Sequence, residues 1–188
     1  MTSIPPSSYL TSLIKQFEYY KLLGQKSFEQ LSESDLNWQH NGQSNSIATI
    51  VKHMHGNMLS RFTNFLTEDG EKEWRERDAE FETEELNKIQ LSELWEEGWK
   101  ITLVTIRSLN PEQLEEIVYI RNMGHTVTEA LNRQLGHYAY HVGQIVFIAK
   151  QLKGDAWESL SIPKGESVAY NRDKFSKPKS RKHYTDDL

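Results

Sequence analysis

The sequence predicts an all-α fold, a four-helix bundle carrying an irregular C-terminal extension. Three observations predict it. Apolar residues recur at helical spacing in four long windows. Capping residues and glycine or proline stops bound those windows. Two long connections separate them, and no internal repeat supplies the period an open helical array would need.

The first helix starts at Pro5 and Pro6, which suit a first helical turn, and runs to about Leu31 with Leu10, Leu13, Ile14, Phe17, Tyr20 and Phe28 inward. Residues 32–42 read as a turn. Asn45 or Ser46 caps the second helix, whose inner positions are Ile47, Ile50, Val51, Met54, Met58, Phe62 and Phe65. The segment from Thr67 to Glu85 is charged and aperiodic, with Trp74 and Phe81 embedded in it, and reads as a partly ordered connection.

A third helix spans about Leu86–Leu109, with Leu91, Leu94, Trp95, Trp99, Thr102, Leu103 and Ile106 inward, and Asn110-Pro111 stops it. Glu116–Ile120 followed by Arg121-Asn122-Met123-Gly124 reads as an extended piece and a turn. Thr126 or Thr128 caps the fourth helix, which reaches Leu152 before the Lys153-Gly154 stop. Residues 1–154 therefore form the bundle. Residues 155–188 form an extension packed on the bundle or on a partner subunit, with its last residues frayed.

The chain has 188 residues, enough for one domain with a sizeable core. Its 37% hydrophobic content, with five Trp, eight Tyr and seven Phe, is that of a globular protein. The formal net charge of −5 argues against a phosphate-backbone binder, and the basic residues Lys174, Lys177, Lys179, Arg181 and Lys182 read as a solvated tail. No apolar run approaches the roughly 20 residues of a membrane span, and no leader is evident, so the expected setting is cytoplasmic. Cysteine is absent, so any metal must be held by nitrogen and oxygen.

The fourth helix carries His137 and His141. Side chains four apart lie on one helix face, about 6 Å apart at Cβ, so two imidazoles can converge on one ion. The same row continues to Ile145 and Ile148, which turns this face inward, where neutral imidazoles need partners. Packing histidines bonded to carbonyls or carboxylates would fit the bare HxxxH pattern equally well, and a third ligand is required. The second helix offers His53 and His55, which face different ways, and spacing alone does not choose between them. His40, His125 and His183 read as surface residues. HYAYH lacks the glutamate of a metalloprotease helix, and no nucleophile elbow or phosphate loop is present.

The segments SIATIVKHMHGNMLSRF and HTVTEALNRQLGHYAYHVGQI together resemble the DinB-like superfamily of four-helix-bundle proteins. The likeness extends, through GNMLSRFTNFLTEDGEKEWRERDAEF and the run Asp155–Gly165, to an uncharacterised bacillus-type subgroup that is DUF1572-like. The resemblance implies an up-down-down-up bundle and a divalent metal, zinc or nickel, on His53, His137 and His141. It also implies a homodimer and a small-molecule substrate. The implied activity is transfer of a low-molecular-weight thiol to an electrophile, through a metal-activated thiol or water. A non-catalytic metal-binding or stress-associated ligand-binding protein is the alternative. Arg61, Arg75 and Arg77, with Lys72, are candidate contacts to an anionic substrate, or are neutralised locally by the interleaved acids. Tyr138 and Tyr140 are candidates for acid–base help. Neither nucleic acid nor membrane is an expected partner.

Overall fold

A computed structural model of the chain describes residues 8–82 and 84–187. The expected helix start at Pro5 and Pro6 lies outside the described residues. The fold is mostly helical: α1 (Ser8–Glu29), a one-turn α2 (Glu33–Leu36), α3 (Ile47–Phe62), α4 (Lys88–Ser108), α5 (Val127–Lys153) and α6 (Ser167–Phe175). A two-stranded antiparallel hairpin, β1 (Ile117–Ile120) and β2 (Met123–Thr126), precedes α5.

Local chemistry accounts for the helix starts. Ser46 accepts the Thr49 N–H at the head of α3. Asn87 and Thr126 each form a reciprocal capping box, with Gln90 and Glu129 respectively, so orphan amides at both helix starts are satisfied. Gly154 ends α5 with a positive φ of 53°, a conformation that costs glycine little.

Each long helix turns its apolar stripe to one shared core. The heaviest packing is α3 on α4 and α1 on α5, and α1 also meets α4 while α3 meets α5. The centre is aromatic: Phe17, Trp99 and Tyr138 meet edge to face, with centroids 5.7–6.2 Å apart. Gly24 lets α1 approach α4 closely, since a Cβ there would come within 2.4 Å of the Trp95 ring.

Two stretches are more ordered than the sequence suggests. The extended piece at Glu116–Ile120 is one arm of the hairpin, whose two turn residues, Arg121 and Asn122, have φ of 55° and 59°, as a tight turn between twisted strands requires. Asp69 accepts the backbone N–H of both, at 2.8 Å each. The charged connection after α3 is thereby tied to the hairpin, and Gly70 N–H adds a bond to the Tyr119 carbonyl. It is also tied back to α3, where Ser60 donates to the Gly70 carbonyl and accepts from Lys72 N–H.

Residues after Gly154 include α6, which buries none of its side chains. Elsewhere they touch α1: His183 bonds Ser12, Lys15 pairs with Asp186, and Tyr184 stacks edge-on with Tyr19. Beyond α1, Gln30 brackets the Glu158 backbone through both its amide atoms, and Trp157 packs against the core. Among the described residues no helix is long and apolar enough to cross a membrane.

Candidate metal centre

His53 stands on α3 and His137 and His141 on α5, the two helices that carry the expected ligands. Their rings meet, with one donor atom from each histidine within 4.8 Å of the others. His137 Nε2 lies 3.4 Å from His53 Nε2 and 3.0 Å from His141 Nε2. His53 and His141 are buried and His137 is half-buried.

The opposite nitrogens fix the tautomers. His53 Nδ1 is 2.9 Å from Glu80 Oε2, and a carboxylate only accepts, so Nδ1 carries the hydrogen. His141 Nδ1 is 3.0 Å from Gln144 Oε1, and by the same logic donates to the amide oxygen. A neutral ring with its hydrogen on Nδ1 offers its lone pair on Nε2, and both Nε2 atoms face that of His137. Burial and the neighbouring His141 and His53 push His137 down to about 3, and burial likewise lowers His141, so both are neutral near pH 7.

Lone pairs facing one another at this separation repel unless something positive lies between them. A proton on His137 Nε2 can serve one neighbour at a time, whereas a divalent ion serves all three nitrogens. Three imidazoles and no sulfur form a donor set that could hold a divalent metal ion. Gln134, one turn before His137 on α5, is 3% exposed, and its Oε1 has no partner among the described residues.

His55 points away and bonds Glu97 at the surface, so of the two α3 histidines it is His53 that meets His137 and His141. His40 is exposed beside Trp38. His125 and His183 are half-buried rather than plain surface residues, the first because β2 folds back against the bundle, the second because of Ser12. Tyr138 faces the core and donates to Asn57 Oδ1 at 3.0 Å, and burial raises its hydroxyl pKa, so it is poorly suited to give up a proton. Tyr140 is exposed and packs on the His141 ring.

Sequence reasoning did not find Glu80. It lies on a 3-10 turn, Asp78–Phe81, which also lays the Phe81 ring against His53 at 4.9 Å. Glu80 is gripped from behind by Arg75, whose Nε reaches Oε1 at 2.7 Å and Nη2 reaches Oε2 at 2.9 Å. Burial alone would raise the Glu80 carboxyl, but bonds from His53 and Arg75 and the Arg75 charge outweigh it and leave the pKa lowered.

The three arginines differ. Arg61 is buried and bound to the Gly70 carbonyl and Glu71, and Arg75 is spent on Glu80 and Glu71. Arg77 keeps a half-exposed guanidinium, 5.2 Å over the Phe81 ring and only 3.9 Å from the nearest oxygen of Asp78. Lys72 pairs with Glu68 at 2.8 Å.

A groove of about 720 Å³ borders the cluster through Gln144, with Trp38, Tyr140 and Phe147 among its walls. His53, His137 and His141 do not line it themselves, although His40 does. Its size is that of an ordinary small-molecule site.

Three imidazoles from two long helices, backed by an amide and a carboxylate, define a helical protein with a centre able to hold a metal ion. The chain belongs to the family described as protein of unknown function (DUF1572), whose profile matches residues 6–166. No curated protein and no solved structure matches the chain.

Proposed function

We propose that this chain is a metal-dependent enzyme of DinB-like type, an up-down-down-up four-helix bundle in which His53, His137 and His141 hold one zinc or nickel ion. The proposed reaction joins a low-molecular-weight thiol to an electrophile. The observation that carries the reading is the convergence of three Nε2 atoms with two of the three rings locked by acceptors on Nδ1. Such an ion supplies, when bound, the Lewis acidity that lets a thiol or water lose its proton near neutral pH.

The chain's own residues supply the rest. Glu80 meets the ring edge of His53 remote from Nε2, so its carboxylate does not close the site as a fourth ligand. That favours chemistry over a structural ion. The groove beside Gln144 has room for a small substrate, with Trp38, Tyr140 and Phe147 offering apolar contact. Of the three arginines Arg77 keeps a half-exposed guanidinium and is the one proposed to meet a carboxylate of the substrate, while Arg61 and Arg75 are held by Glu71 and Glu80. A cytoplasmic homodimer completes the proposal.

Elemental analysis of untagged protein tests the centre. About one zinc or nickel per chain is expected, and loss of it in the variant with His53, His137 and His141 all changed to alanine. Equal metal content in that variant sinks the reading. Restored protein is then assayed for thiol consumption with a simple electrophile, and mass in solution decides the dimer. Metal binding without any thiol transfer would leave a ligand-binding protein instead.

A further inference from the structure

We propose that Glu80 is a positioning residue, held by Arg75, that fixes His53 in the tautomer and ring orientation needed to share an ion with His137 and His141. The inference rests on the metal reading above and adds to it a residue from outside the two ligand-bearing helices.

A neutral imidazole free in water has two tautomers and rotates about its side-chain bonds, so a ligand left unsupported offers the wrong nitrogen part of the time. Glu80 removes that freedom. Its Oε2 accepts the Nδ1–H of His53 at 2.9 Å, the tautomer that in a neutral ring leaves the lone pair on Nε2, the atom that faces His137. Glu80 is itself immobile, because Arg75 binds both its oxygens and the Arg75 side chain is 2% exposed. Arg75 leans in turn on Glu71, which Arg61 and Arg121 also hold.

Gly56 shows that room is made for this carboxylate. It lies one turn beyond His53 on α3, and a Cβ there would come within 2.2 Å of Glu80 Oε1. A glycine in the middle of a helix costs roughly 0.5–1 kcal/mol relative to alanine. Here it opens the helix face that Glu80 occupies. Carboxylates bonded to the far nitrogen of metal-binding histidines hold the ring and raise its basicity, and their loss costs about 10–100-fold in affinity.

The test compares wild type with Glu80→Gln and Gly56→Ala, each first shown by thermal melting to be folded. Zinc affinity is read by competition with a chelating dye, and the His53 tautomer by long-range proton–nitrogen NMR of the metal-free protein. Wild type is expected to hold His53 with the hydrogen on Nδ1. Both variants are expected to lose about tenfold or more in zinc affinity and to show a mixed tautomer. Gly56→Ala leaves the carboxylate in the sequence but displaces it, so it separates position from charge. Wild-type affinity together with an unchanged tautomer in both variants overturns the proposal. If wild type binds no zinc, the metal reading fails on its own, and the tautomer readout still decides whether Glu80 sets His53.

Discussion

The three imidazoles are held with unequal care. His53 has a carboxylate behind it and His141 an amide, while among the described residues no partner on the Nδ1 side of His137 adds to the contacts its Nε2 makes with the other two rings. His141 and His137 are one turn apart on a rigid helix, so their relative placement is secured by α5 itself. Beneath them Tyr138 anchors α5 to α3 through Asn57. Tyr138→Phe strands a buried Asn57 oxygen and is expected to cost about 1–2 kcal/mol, read as a lowered urea midpoint; an unchanged midpoint would show the bond contributes nothing net. The α5 pair was legible because residues four apart share a helix face, whereas spacing left His53 and His55 open and only the resemblance singled out His53, the one whose ring meets that pair. Glu80 was not, because the segment around it holds many acids and no period, so nothing in the order of residues distinguishes it from Glu76 or Glu82. The one trace of it is Gly56, an unforced glycine inside an otherwise strong helix beside a histidine.

Among the elements, helices with an apolar stripe were readable and those without one were not. The inner positions of α3 assigned from periodicity, from Ile47 through Phe62, are all buried. On α6 there is no buried face to leave a pattern, and β2, Met-Gly-His-Thr, is a poor strand former that forms because the turn before it and β1 beside it impose pairing. Close approach gives a paired test at this scale. Gly24→Ala drives a methyl into Trp95, itself packed on Phe28 and Trp99. Overpacking of about 1–3 kcal/mol exceeds the roughly 1 kcal/mol gained in helix propensity, so a net loss is expected. Gly136→Ala, with nothing within 4 Å of the new methyl, is expected to stabilise by roughly 0.5–1 kcal/mol. Thermal melts showing the same sign for both variants would contradict this account.

For the molecule as a whole, acid is a selective stress. The unfolded chain takes up protons on His137 and His141 from about pH 6.5 downward, whereas the folded chain resists, His137 down to about 3. More protons bound by the unfolded state means stability rises with pH and falls on acidification. Metal-free protein is therefore expected to lose on the order of 1 kcal/mol between pH 7.5 and 5, a figure that allows for the partial exposure of His137. This window lies above the usual carboxylate range, and His137→Gln should flatten the trend; a urea midpoint constant from pH 7.5 to 5 in the wild-type chain would refute it. The separation of the donors along the chain has a further effect. His53 and His137 are 84 residues apart, so an unfolded chain keeps only the local pair on α5 as a chelate. Capture of an ion by all three would thus reward completed topology, adding about 2.7 kcal/mol to the native state at a hundredfold excess over Kd. A chelator present during refolding would remove that thermodynamic pull without touching a single helix-forming signal.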